Sequence, residues 1–162
     1  VERELLRFTV RGVPQPQPRT RVRGFIRQGR PSGQTYDPGT ADDWKALVAL
    51  AARPHLPPVP FTGPLSLFVR FRFPRPKGHY GSGRFQLELR PKAPRRWCFG
   101  RRRNDFDNMA KAVADVLTAV RCWEDDSHVA RAVTELEWAD HSGAAGCVVV
   151  ISQLEDDDGD GK

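Results

Sequence analysis

Asp105 and Asp107 are separated by one phenylalanine, preceded by Arg101, Arg102 and Arg103, and followed by Asn108 and Lys111. A cationic run beside two acids either neutralises those acids on a solvated surface or holds something that needs both signs. A phosphodiester with a divalent metal ion is the candidate of the second kind. If residues 105 to 107 are extended, side chains alternate, so Asp105 and Asp107 face one way and Phe106 faces the core. Lys111 follows Asp107 by one helical turn and shares its face. Two carboxylates this close repel, and without help one would be harder to ionise. A hard cation such as Mg²⁺ removes that repulsion. It takes oxygen ligands, keeps several waters, and is held by a few carboxylates plus a substrate phosphate. It can polarise a phosphoryl oxygen and activate a bound water. Lys111 would then stabilise charge on the phosphate or the leaving oxygen.

The plainer account is that Asp107 caps a helix and Lys111 bridges to Asp107 or Asp115. The DxDN segment alone favours that account. An EF-hand fails for want of the glycine at its sixth position and the glutamate at its twelfth. A third acid tips the balance. Asp125 and Asp126 follow Trp123 in CWEDDSHV, and a short helix would let the chain return and set this turn beside the first two acids.

The elements that must position these groups follow from periodicity. LLRFTVR at 5–11 alternates, with Leu6, Phe8 and Val10 on one face, and reads as a strand. Residues 12–39, rich in Pro, Gly and Arg, read as a long basic loop. A helix is expected from Thr40, as cap, to Arg53, where Pro54 stops it, with Trp44, Leu47, Val48 and Ala51 as its apolar stripe. LSLFVRFRF at 65–73 alternates without a break and is the strongest strand signal. Residues 74–103 form a second basic loop with ten Arg or Lys and one acid, Glu88, and RFQLELR within it suits a short strand. Tyr80, Phe85, Trp97 and Phe99 interleave with these charges. That mixture suits a nucleic-acid surface, where phosphates take the charge and bases stack; the bland alternative is a solvated arm. A helix at 108–120 should bury Met109, Val113, Val116, Leu117 and Val120, followed by strands at 128–138 and 147–152. The order strand, helix, strand, optional hairpin strand, helix, strand, strand implies an α+β fold with a mixed sheet and two main helices. Residues 1–154 form one domain, and the acidic tail 155–162 is expected to be disordered.

The chain of 162 residues carries net charge +6 and a pI near 9.7. Its last eight residues hold five acids and one lysine, so residues 1–154 carry 25 bases against 15 acids, net +10. Such a body attracts polyanions in a salt-sensitive way. Arginine outnumbers lysine 21 to 5, a bias that a GC-rich genome also produces, so clustering matters more than the total. No apolar run is long enough to span a bilayer, and the charged start has no signal-peptide pattern; a soluble, cytoplasmic protein without membrane partners is expected. Cys98, Cys122 and Cys147 are too widely spaced for a disulfide framework, and neither they nor the four histidines have zinc-site spacing.

The block DFDNMAKAVADVLTAVRCWEDDSHV, residues 105–129, resembles the RusA family of Holliday junction resolvases. Asp105, Asp107, Asn108, Lys111, Asp115, Trp123, Asp125, Asp126 and Val129 match the family pattern in order and spacing. FTVRGVPQPQPRTR and the YDP at 36–38 are similar to the family's opening strand, proline-basic loop and first-helix approach, so the resemblance covers about two-thirds of the chain. It implies a homodimeric, Mg²⁺- or Mn²⁺-dependent endonuclease that cuts four-way DNA junctions by paired nicks. Asp105, Asp107 and Asp126 would be its metal-binding acids, Lys111 its catalytic lysine and Asp125 a supporting acid. Arg19 and Arg21 would contact phosphate, and Arg101–Arg103 would grip the backbone beside the acids. The arginine-rich insertion before residue 105 departs from the family and would enlarge the DNA footprint or change the preferred branched structure. A non-catalytic branched-DNA-binding protein and an arginine-rich module for an acidic protein partner are the alternatives.

Overall fold

The strongest alternation in the sequence builds the centre of the fold. In the computed structural model, β4 (Leu65–Phe73) buries Leu65, Leu67, Val69, Phe71 and Phe73. It lies inside a four-stranded sheet of order β1-β6-β4-β5, with β1 at Glu2–Arg11, β5 at Val129–Trp138 and β6 at Gly146–Leu154. The structure describes residues 2–36, 38–100, 105–140 and 142–155. Arg101–Arg103 and residues 156–162 of the acidic tail therefore lie outside the described residues.

β6 pairs antiparallel with both β1 and β4, whereas β4 and β5 run parallel. A parallel pair needs a crossover rather than a hairpin. The segment between β4 and β5 supplies one, and it carries α2 (Phe106–Ala119). The buried stripe of α2 is Met109, Ala112, Val113, Val116 and Leu117, one side of a 3.6-residue period. It joins Leu6, Phe8, Val10, Trp44, Val48 and the inward residues of β4 in one core. α1 (Asp42–Ala52) packs against both α2 and β1. The mixed sheet with two main helices is the α+β arrangement expected.

Four local expectations are corrected. Residues 12–39 are not loop throughout: Arg21–Arg27 (β2) and Arg30–Tyr36 (β3) pair as an antiparallel ribbon. Gln28 and Gly29 both take positive φ, the two-residue turn that matches strand twist. The hairpin of the fold is therefore here, and not at RFQLELR, which forms a 3₁₀ turn at Gly83–Phe85 and tight turns closed by a bridge between Tyr80 and Leu89. Helix α1 starts after Ala41, with no side-chain cap, so Thr40 does not cap it, and Leu47 is exposed. Helix α2 starts at Phe106, which removes the strand-like alternation at residues 105–107. Phe106 is 64% exposed instead of entering the core.

The second basic region is ordered by its own arginines. Arg75 donates to the carbonyls of Pro94, Arg95 and Ala139, and Arg90 donates to that of Tyr80. Residues 96–98 lie along the outer edge of β5, with Cys98 N–H donating to Leu136 and Trp138 N–H to Arg96. Such a cover blunts an edge strand that would otherwise present unpaired backbone groups.

Candidate functional site

The start of α2 gathers residues from two distant stretches. Asp105 is the N-cap residue, with extended backbone, and its carbonyl accepts the first helical hydrogen bond from Met109. Its carboxylate does not cap the helix. It accepts from Asn108 Nδ2 at 3.2 Å and from Arg19 at 3.2 Å, across 86 residues of sequence. Asp107 Oδ1 accepts the Asn108 backbone N–H at 2.9 Å. One asparagine thus holds both acids, through its side chain and its main chain. The proline-rich segment is fastened at the same place, where Gln17 N–H donates to the Asn108 carbonyl at 2.8 Å. A helix N-terminus favours anionic groups, so it is a suitable place for two acidic side chains.

The other predicted residues sit further along. Lys111 donates to Asp115 at 3.1 Å, the i,i+4 bridge of the plainer account, in a partly exposed setting. The chain leaves α2 by a reversal in which Arg121 adopts φ 61°, Arg121 N–H donates to Thr118 and Cys122 N–H to Leu117. This paired pattern closes a helix with a left-handed residue, usually glycine. Trp123 is fully buried, and its indole N–H donates to Thr118 Oγ1 at 2.7 Å. That contact folds the following residues back against the helix. The 3₁₀ turn Asp126–His128 touches α2 and leads into β5. Asp125 caps this turn by accepting Ser127 N–H at 2.9 Å. Hydrogen bonding from Ser127, first by its side chain and then by its main chain, holds the Asp125 carboxyl below its ordinary pKa. Asp126 is exposed at the first position of the turn.

The structure therefore joins Asp105, Asp107, Asn108 and Arg19 directly, and sets Asp126 on a turn against the same helix. It does not bring Asp105, Asp107 and Asp126 into one cluster: among the described residues, no three His, Cys, Asp or Glu side chains are placed to hold a metal. The donors that are present are all hard oxygens on exposed carboxylates and an amide, the chemistry that suits Mg²⁺ or Mn²⁺ rather than zinc. Arg19 and Arg21 line an open cleft of about 530 Å³ with Pro16, Pro18 and Thr40, and Arg19 links it to Asp105. Arg101–Arg103, the predicted grip on the backbone, lie outside the described residues.

Two features were not assigned from the sequence. Asn108 belonged to the DxDN pattern, but its double link to both acids needs the helix to begin at Phe106. Arg23, Arg27 and Arg30 were hidden in a presumed loop. Their signal was the alternation of arginine with apolar residues from Arg21 to Ile26, ahead of a glycine turn.

The family model described as endodeoxyribonuclease RusA matches residues 11–151, from the end of β1 into β6. The chain is also similar to the uncharacterized protein YqaN of Bacillus subtilis (strain 168), 34% identical over 126 residues, which covers 78% of this chain and 82% of that protein. The matched span takes in the proline-basic segment, the ribbon, both helices and every acid at the start of α2, and this chain belongs to the RusA endodeoxyribonuclease family.

Proposed function

We propose that this protein is a metal-dependent, structure-selective endodeoxyribonuclease that resolves four-way DNA junctions by paired nicks. The observation that carries this reading is the joining of Asp105 and Asp107, through Asn108, to a cationic segment that reaches them through Arg19. Acids alone would repel a phosphodiester, and arginines alone would only bind it. Their juxtaposition supports a site that holds a phosphate against a cation.

Asp105 and Asp107 would supply oxygen ligands to Mg²⁺ or Mn²⁺, with Asp126 contributed from the turn packed on α2. When bound, the ion would polarise the phosphoryl group and make water a better nucleophile. Asn108 fixes the two carboxylates relative to each other. Arg19 shields Asp105 and would exchange that ion pair for a substrate phosphate; an exposed pair of this kind contributes little stability, so the exchange is cheap. Lys111 would leave Asp115 to meet developing negative charge. Two nicks on a symmetric junction need two such sites, which a two-fold homodimer provides.

A cleavage assay on labelled four-way junction, linear duplex and single strand, with Mg²⁺ or Mn²⁺, tests the reading. Junction-selective paired nicks are expected from the unmodified chain. Asp107→Asn should abolish them and leave junction binding equal or tighter, because one repulsive charge is gone. A correctly folded Asp107→Asn protein that cleaves normally, or that no longer binds, contradicts the assignment. The second reading is a branched-DNA-binding protein without catalysis. It is favoured by the Lys111–Asp115 bridge and by the separation of Asp126 from the acid pair. Binding without cleavage in every metal would select it.

A further inference from the structure

The β2–β3 ribbon has two unlike faces, and the described residues leave both largely uncovered. Register places Arg23 opposite Gln34, Phe25 opposite Ser32 and Arg27 opposite Arg30. Cross-strand partners share a face and neighbours along a strand do not. One face therefore carries Arg21, Arg23, Phe25, Arg27, Arg30 and Gln34. The other carries Val22, Gly24, Ile26, Pro31, Gly33 and Thr35. Every residue of β2 is exposed, Val22 at 70% and Ile26 at 79%.

Little of either face is engaged by the described residues of the chain. There is no acid between residues 12 and 36. Among the described residues no ion pair engages Arg21, Arg23, Arg27 or Arg30, whereas Arg19 at the ribbon's root pairs with Asp105. Arg27 and Arg30 stand directly opposite each other beside the turn, a like-charge pair that costs stability unless an anion lies between or over them. At Gly24 an added Cβ would meet nothing within 4 Å, so packing within the chain does not require glycine there. Close approach of another molecule between Val22 and Ile26 gives it a reason.

We infer that this ribbon selects branched over linear DNA: its arginine face holds the phosphates of one arm, and Val22 and Ile26 seat on base-pair faces exposed at the branch point. The inference rests on the junction-cutting function proposed above and adds the element that recognises the branch. A ribbon of seven-residue strands spans about 23 Å and is narrow enough for a major groove. Phosphate contact alone cannot distinguish a junction from a duplex, since both present the same backbone. What a branch point offers in addition is flat base surface, and apolar side chains are the groups that insert against it. The ribbon's root, at Gln17 and Arg19, is tied to the acid pair, so a branch held by the ribbon lies at a set distance from the proposed cutting site.

The test is equilibrium binding of the full chain to a four-way junction and to a linear duplex of equal length, in chelator and over a range of salt. Two variants are compared with the unmodified protein: Arg23→Gln with Arg27→Gln and Arg30→Gln, and Val22→Ser with Ile26→Ser. The arginine variant should lower the slope of log affinity against log salt by about 2 to 3 on both DNAs. The apolar variant should weaken junction binding by about tenfold and change duplex binding by less than about twofold. Equal losses on both DNAs in the apolar variant, or no loss in either variant, overturn the inference, as does absence of DNA binding by the unmodified chain. A third variant, with residues 22–35 replaced by a short Gly-Ser link, should lose junction preference while keeping its circular dichroism spectrum; retained preference overturns the inference independently of point-variant folding. Chelator separates this test from the nuclease assignment. Junction cleavage with ribbon-insensitive binding rejects only the ribbon, and ribbon-dependent binding without cleavage rejects only the nuclease.

Discussion

Asn108 holds the two candidate ligands by opposite ends of the same residue, its amide on Asp105 and its main-chain N–H on Asp107. Neither link depends on a metal, so the pair is set before any cation arrives. Asn108→Ala would remove the tie to Asp105 and leave the backbone link to Asp107. Junction cleavage should fall about 10- to 100-fold, the usual cost of losing a group that orients a metal ligand. The rise in melting temperature produced by Mg²⁺ should shrink with it. An unchanged thermal response to Mg²⁺ and unchanged cleavage would remove Asn108 from the site. Cysteine chemistry gives a second check at this scale. Cys98, Cys122 and Cys147 are all buried, and none forms a disulfide. Burial pushes the Cys122 and Cys147 thiols up to about 12, so both remain protonated at pH 8, and the thiolate is the reactive form. Thiol reagents at pH 8 should label neither in the native protein and both after denaturation. Fast native labelling would contradict the packing of β6 and of the turn after α2.

Elements place these residues through a small number of backbone decisions. The start of β6 is one. Gly146 has φ 152°, and a Cβ there would fall 1.9 Å from the Val10 carbonyl oxygen. β1 and β6 are paired at that point, Val10 with Cys147 and Arg11 with Gly146. Gly146→Ala should therefore force the strands apart and destabilise the fold by about 2–4 kcal/mol, seen as a lower midpoint in denaturant with little change in slope. A loss below about 0.5 kcal/mol would mean that the strand end moves without resistance. The reversal after α2 is another such decision. It places a non-glycine residue, Arg121, in the left-handed region, and the buried Trp123 follows it. Together they turn the acidic segment back along the helix instead of away from it.

Charge and symmetry belong to the whole molecule. The basic excess of residues 1–154 is not spread evenly. On β4 and β5, Arg70, Arg72 and Arg96 converge on Glu135 and Glu137, and Arg131 pairs with Glu2. Three carboxylates thus offset most of the charge of these four arginines, and Arg75 and Arg90 are committed to carbonyls. Among the described residues, Arg21, Arg23, Arg27 and Arg30 of the ribbon make no ion pair, and the ribbon's root reaches the acid pair through Arg19. DNA affinity should fall steeply with salt, and neutralising the sheet arginine Arg70 should change that dependence far less than neutralising Arg23. The proposed paired nicks further require two copies. Light scattering at assay concentration should give a mass near twice 18.2 kDa. A single-chain mass, with cleavage intact, would reject the two-site account of paired nicking.

The sequence by itself determined the elements whose period is set by one buried face. β4 matches its expected bounds, and β1, α1, α2, β5 and β6 lie within a few residues of theirs, because alternate or every third-to-fourth apolar side chains must reach one core. It also determined the acid pattern of residues 105–129, since residue type and spacing survive any fold. The ribbon left only a weak signal, the alternation of arginine with apolar residues before a glycine turn, because an exposed hairpin has no apolar face committed to a core. The exposure of Phe106 was not legible either, since the helix begins two residues earlier than expected and its successive side chains turn by about 100° instead of alternating. Only the tertiary structure decided that Arg19 meets Asp105, that Arg75, Arg90 and Arg96 serve the fold, and that Asp126 lies on a turn against α2 apart from the acid pair. Those are long-range contacts, made by side chains whose local sequence is compatible with many partners, and the packing of the sheet and helices chooses among them.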